Sequence, residues 1–176
     1  MKITMLSLCL AMTTSGFFLS AQEVSPTSDQ VSDNWVGLTA EPTTILGVGY
    51  EKTWGNFSLG VSLGGYSWGQ DRVATYFNPG VKASLMLNQW ELSPDVRISL
   101  RGFAAIGWYY YSIDAAGMDQ SSLGVGESGL EVQYLVQRRF RVGVSLGQSL
   151  FFGTWASGQP RFATMPLPGI SLGLVF

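Results

Sequence analysis

From Arg139 to Phe152 apolar and polar positions alternate strictly. Phe140, Val142, Val144, Leu146, Leu150 and Phe152 fall on one face. Arg139, Arg141, Gly143, Ser145, Gly147 and Ser149 fall on the other. A period of two is the signature of a β-strand with two different environments, because successive side chains point to opposite faces. Val96–Tyr111 repeats the pattern, with Val96, Ile98, Leu100, Ala104, Ile106 and Trp108 against Arg97, Ser99, Arg101 and Gly107. So do Phe57–Leu63 and Gly169–Phe176. Weaker alternation over Asn34–Ala40, Thr43–Trp54, Phe77–Leu87 and Ser122–Gln137 completes a set of eight strands. No amphipathic helix of useful length intervenes.

The connections alternate as well. Gly55-Asn56 and Gln137-Arg138 predict tight turns, and Asn88–Asp95 a modest one. Between them, Ser67–Tyr76, Ser112–Ser121 and Gly153–Met165 predict longer loops. Glu41-Pro42 is the short exception. Short turns at one end and long loops at the other are the habit of barrels that cross an outer membrane.

Alternation alone fits either a soluble carrier barrel or a membrane barrel. The second face decides between them. It carries Gly, Ser and a few charges rather than the dense Lys, Glu and Thr of a sheet facing water. Charged residues make up only 12% of the 176 residues, against about 25% in an ordinary soluble domain. Small residues and paired charges suit a narrow barrel interior, and Leu, Val, Ile and aromatics suit hydrocarbon. A strand edge is not tolerated in lipid, so the sheet must close. The expected fold is therefore all-β: a closed, eight-stranded, antiparallel, up-and-down transmembrane barrel. A soluble periplasmic lipid-binding barrel is the less favoured architecture.

Aromatics support a membrane height scale. With the termini on the periplasmic side, Trp54, Phe57, Tyr134, Phe140 and Phe176 fall near one rim. Phe77, Trp108, Tyr110 and Phe152 fall near the other, as interfacial girdles require.

The chain begins with Lys2 and an apolar run from Ile3 to Leu19 that ends in Leu19-Ser20-Ala21. Residues 1–21 read as a cleavable signal peptide for export to the outer membrane of a Gram-negative-type cell. Residues 22–33, polar and containing Pro26, read as a flexible periplasmic tail, and 34–176 as the barrel. Cys9, the only cysteine, lies within the signal behind a bulky Leu8, which argues against lipidation. The expected mature chain has no thiol chemistry.

The signal, the eight alternating strands and the ending Gly169-Ile-Ser-Leu-Gly-Leu-Val-Phe176 resemble the small outer-membrane β-barrel proteins related to the transmembrane domain of outer-membrane protein A. The resemblance spans the whole mature chain. It implies outer-membrane lipid and the barrel-assembly machinery as partners, with Phe176, Leu174 and Leu172 as the assembly signal. Ser171 departs from the family, which often has glycine there. The class hosts adhesins, slow pores, anchors and enzymes, so the resemblance names no activity.

Candidate chemistry is sparse. There is no histidine, which removes the general base used by barrel phospholipases, deacylases and proteases. Without His or a mature Cys, zinc loses its usual ligands, and no metal or cofactor is expected. Asp71, Asp114 and Asp119 lack the spacing of a calcium loop. Gly124-Val-Gly126-Glu-Ser-Gly129 lacks the strand–loop–helix context and the lysine of a phosphate loop. A net charge of −2 suggests no nucleic-acid partner.

What remains is a set of inward charges: Glu51, Lys82, Arg97, Arg101, Glu131, Arg139 and Arg141, with Glu127 beside them. The expected register sets Lys82 opposite Arg101, and Arg101 opposite Glu131 or its neighbour on the sixth strand, with an ion pair expected between Arg101 and Glu131. Such a row selects ions in a pore or fills the interior as a plug of paired charges. The narrowness of an eight-stranded barrel favours the plug. Inward Tyr66, Trp68, Phe103, Tyr109, Tyr111 and Phe151 either fill space above the charges or line a small pocket. The expected role is structural or surface-interacting, with loops displayed outside the cell to a partner of unknown identity. A narrow passive pore for ions or small solutes is the alternative. An enzyme is not expected.

Overall fold

Successive strands pair antiparallel all the way round, and β1 returns to β8, so the sheet closes on itself. The computed structural model describes residues 33–68, 74–113, 121–154 and 160–176. The strands are β1 (Asn34–Ala40), β2 (Gly47–Trp54), β3 (Phe57–Trp68), β4 (Ala74–Ser93), β5 (Val96–Ile113), β6 (Ser121–Val136), β7 (Phe140–Thr154) and β8 (Pro160–Val175). The expected signal (1–21) and nearly all of the expected tail (22–33) lie outside the described residues, as do residues 69–73, 114–120 and 155–159 of the three long connections.

The wall has the polarity the alternation demands. On β7, Val144 and Leu146 are exposed while Gly143, Ser145, Gly147 and Ser149 are buried. On β5, Ala104, Ile106 and Trp108 are exposed while Arg101, Phe103, Gly107 and Tyr109 are buried. The outer face is therefore a band of exposed Leu, Val, Ile and aromatics, and the buried positions are mostly polar. That is the reverse of a water-soluble sandwich. Trp54 stacks on Phe57 at 6.3 Å toward one rim, and Phe77 with Tyr110 and Trp108 with Phe152 sit at 6.1 and 5.9 Å toward the other.

The start of β1 and the end of the chain after β8 close the ring. The Asn34 amide donates to the Phe176 carbonyl at 3.0 Å, and the Phe176 amide returns to Asn34 at 2.8 Å. Gly55, with φ of 57°, makes the β2–β3 turn, where a side chain would be strained. Gln137 and Arg138 adopt φ of 52° and 54° in the β6–β7 turn.

Several expected boundaries move: β3 runs on to Trp68 and β4 begins at Ala74, so both ends of the expected loop Ser67–Tyr76 are strand, and three further shifts have a visible cause. β2 starts at Gly47, not Thr43: Thr44 and Ile45 both donate to the Glu41 carbonyl, at 2.9 and 2.6 Å, and turn the chain before a strand can form. The connection is thus Glu41–Leu46 rather than Glu41-Pro42. β4 runs on through Asn88 to Ser93, with the turn at Pro94-Asp95. Irregularities at Met86/Asn88 and Glu91/Ser93 shift the pairing with β5. They break the period, which is why Asn88-Gln89 resembles a loop in the sequence. β8 begins at Pro160, far before Gly169, despite Pro166 and Pro168. Over Pro160–Gly169 it pairs with β7, while its pairing with β1 covers only Ile170–Val175. A stretch with one neighbour needs only half its donors, so prolines are tolerated.

Candidate functional site: the charged barrel interior

The inward faces of β2, β4, β5, β6 and β7 bring five of the expected charges together. Near the rim where β1 begins and β8 ends, Glu51 on β2 accepts from Arg141 on β7 at 2.7 Å and lies 3.6 Å from Arg101 on β5. Arg101 also donates to Ser58 and to Gln133, the latter at 3.2 Å. The Arg141 guanidinium stacks over the Trp35 ring at 4.4 Å. Farther in, Lys82 on β4 pairs with Glu131 on β6 at 3.1 Å and lies over the Phe103 ring at 4.7 Å.

Arg101 lies opposite Glu131 in the β5–β6 register, but the expected ion pair between them is replaced. Long side chains inside a narrow tube reach across it as readily as along the wall. Arg101 takes Glu51, and Glu131 takes Lys82. Lys82 does not face Arg101, whose neighbour on β4 is Met86; Lys82 faces Ala105. The extension and bulges of β4 account for that offset.

Two expected members stand apart. Arg97 is one-third exposed and pairs with the exposed Glu91 at 3.2 Å beside the β4–β5 turn. Arg139 is exposed in the turn preceding β7. Phe176, Leu174 and Leu172 all point outward from β8 and its end, with 69%, 56% and 41% of their surface exposed. Of the upper aromatics, Phe103 and Tyr109 are buried, and Phe151 and Leu123 pack on Tyr109 and Val125. Tyr66, Trp68 and Tyr111 have side chains outside the description.

Sequence reasoning missed Glu41. It sits in the β1–β2 connection, yet it is buried and pairs with Lys82 at 2.7 Å. The whole connection dips into the barrel: Pro42, Thr43 and Thr44 are buried. Asn78 on β4, fully buried, donates to the Thr43 carbonyl at 2.8 Å. Thr44 shares a hydroxyl contact of 2.6 Å with Ser62 on β3. Glycines clear its path. A Cβ at Gly107 on β5 would strike the Thr43 backbone, and one at Gly64 on β3 would strike the Thr44 carbonyl. β5 stands across the ring from β1, so the connection spans the interior. The one signal available was the run of inward glycines, which leaves room for something other than side chains.

What space remains is small. A cavity of about 30 Å³ lies among Glu41, Glu51, Lys82, Glu131 and Arg141, room for a water or two. Glu127 is buried, and neither carboxylate oxygen has a hydrogen-bond partner. No cluster of three metal-binding side chains occurs among the described residues.

The fold is similar to that of the N-terminal β-barrel domain of OprF from Pseudomonas aeruginosa. That likeness has a TM-score of 0.51 at 15% identity and covers 82% of this chain and 96% of that one. A major outer membrane protein from Thermus thermophilus aligns over the same shares at 8% identity with a TM-score of 0.35. No protein-family model and no curated protein sequence matches the chain.

Proposed function

We propose that the chain is an outer-membrane barrel with a structural or surface-interacting role, exported by a cleaved signal and held shut by its own interior. The observation that carries the membrane reading is the inversion of polarity. A closed ring of strands presents apolar side chains outward and encloses ion pairs. The fold shared with the OprF barrel domain supports it. In this orientation the termini and the short turns face the periplasm, and the long connections face outward to a surface partner. Phe176, Leu174 and Leu172 then serve assembly by the barrel-assembly machinery. The absence of histidine favours a role without catalysis.

The inward β1–β2 connection favours the closed reading over the narrow pore. Backbone from Glu41 to Thr44 is buried inside the ring, and Lys82 is tied to both Glu41 and Glu131. An ion crossing the barrel would have to displace this segment and separate paired charges in a low-dielectric space. Recording the purified protein in a planar bilayer tests this. The expected result is no resolvable single-channel current. Steady, reproducible channels would favour the pore. Separately, recovery of the chain in the soluble periplasmic fraction would overturn the membrane assignment.

A further inference from the structure

The outer wall is not uniformly apolar. Between the row containing Trp108, Phe152 and Phe162 and the row containing Phe140 and Leu174, the described outward side chains are apolar or tyrosine except at two places: Asn88 at the β4 irregularity, which accepts from the Gln89 amide at 2.8 Å, and a cluster on the other flank. There Ser128 on β6, Gln148 on β7 and Thr164 on β8 lie together. Ser128 pairs in register with Gln148, Gln148 with Pro166, and Ala104 with Ser128, so the four form a single row across β5–β8. Thr164 is one outward position above Pro166. Gln148, Thr164, Pro166 and Pro168 are exposed, and the Gln148 carboxamide has no hydrogen-bond partner among the described residues. Gly126, next above Ser128, has open space where a side chain would stand.

Gln148 lies four residues below Phe152 and eight above Phe140 along β7, well inside the span between the aromatic rows. In hydrocarbon an unsatisfied carboxamide is costly, and polar side chains at that depth face protein rather than lipid. Small residues around it let a second backbone approach closely. Beside the patch, β8 above Ile170 has no β1 partner, so this flank of the wall is also the one with unused edge.

We propose that this β6–β8 face is a dimer interface between two copies of the chain in the membrane, with Gln148 at its centre. The proposal rests on the membrane reading above. A second copy fits because a carboxamide is both donor and acceptor and so complements itself. Two barrels inserted in the same direction are related by a two-fold axis along the membrane normal, which sets Gln148 against Gln148 at equal depth. Ser128 and Thr164 flank the pair with hydroxyls. Pro166 and Pro168 withhold donors from the β8 edge, so the copies meet face to face rather than by adding strand to strand.

Crosslinking in isolated outer membranes tests it. The full chain carries Cys9→Ser, with one cysteine introduced by Gln148→Cys or Thr164→Cys, or by Val81→Cys on the exposed face of β4 as the control. A short bis-maleimide should give a dimer band of twice the chain mass for the first two and none for the third. With donor- and acceptor-labelled copies in phosphatidylcholine vesicles, Gln148→Leu should weaken association by about threefold or more, the scale of a hydrogen bond between membrane segments. Equal crosslinking at Val81, or energy transfer unchanged by Gln148→Leu, would overturn the interface. A crosslink from Gln148 to a different protein, with copies monomeric in vesicles, would overturn the second copy as its occupant. Loss of the chain from the membrane fraction would instead strike at the membrane reading.

Discussion

Glu51 carries the electrostatics of the lower interior. It is buried, and it is the carboxylate that Arg141 and Arg101 share, at 2.7 and 3.6 Å. Glu51→Gln keeps the shape but leaves two guanidiniums facing each other without a counter-charge. Stranding a buried charge in this way costs about 3–5 kcal/mol. The exposed Arg97–Glu91 pair lies in solvent-screened surroundings, so Arg97→Gln should cost about 0–1 kcal/mol. Urea titration of the two variants in lipid vesicles should order them so; equal midpoints would refute the account. The inward parity of Glu51, Lys82, Arg101, Glu131 and Arg141 is readable from alternation alone. Their partners are not, because a long flexible side chain chooses among every group within its reach across the tube. Parity says nothing about that choice, so it matches Arg101 to its neighbour Glu131 instead of to Glu51.

At the level of elements, Glu41–Leu46 is the segment whose position depends on many others. β3 supplies Ser62 and the gap at Gly64, β4 supplies Asn78 and Lys82, and β5 supplies the gap at Gly107. Gly107→Val places two methyls where the Thr43 backbone runs. Backbone cannot yield as a flexible side-chain end does, so the connection must leave the interior. Reaction of Thr44→Cys, in a Cys9→Ser chain, with a water-soluble maleimide reports this. Labelling should be slow in the parent, where Thr44 is fully buried, and at least tenfold faster with Gly107→Val added. Unchanged labelling would show that the segment is not held by the gap. In the sequence, Thr43-Thr44-Ile45-Leu46 has strong strand propensity and extends β2 on paper. Tertiary hydrogen bonds from Asn78 and Ser62 override that propensity. β4 and β8 depart for other reasons: bulges break the period in one, and prolines beside an unpaired edge hide the other.

For the molecule as a whole, the central assertion is which face of the wall meets lipid, and one pair of adjacent residues decides it. Leu146 stands six positions from Phe140 and six from Phe152 along β7, midway between the two aromatic rows. It is 63% exposed, with Leu130 and Pro168 as its cross-strand neighbours. Ser145 points the other way, is buried beside Glu131 in register, and makes no hydrogen bond through its hydroxyl. In a membrane barrel Leu146→Arg puts a guanidinium at the bilayer midplane, at a cost of about 2–4 kcal/mol. Ser145→Ala removes an unsatisfied polar atom from a crowded interior and should be close to neutral or slightly stabilising. A soluble barrel reverses neither residue's direction, but it does reverse the solvent. Leu146→Arg would then face water and cost little. Folding yields in lipid vesicles, followed by heat-dependent mobility on gels, should therefore drop for Leu146→Arg and hold for Ser145→Ala. Equal yields for the two would mean that the exposed apolar band is not where this protein meets hydrocarbon.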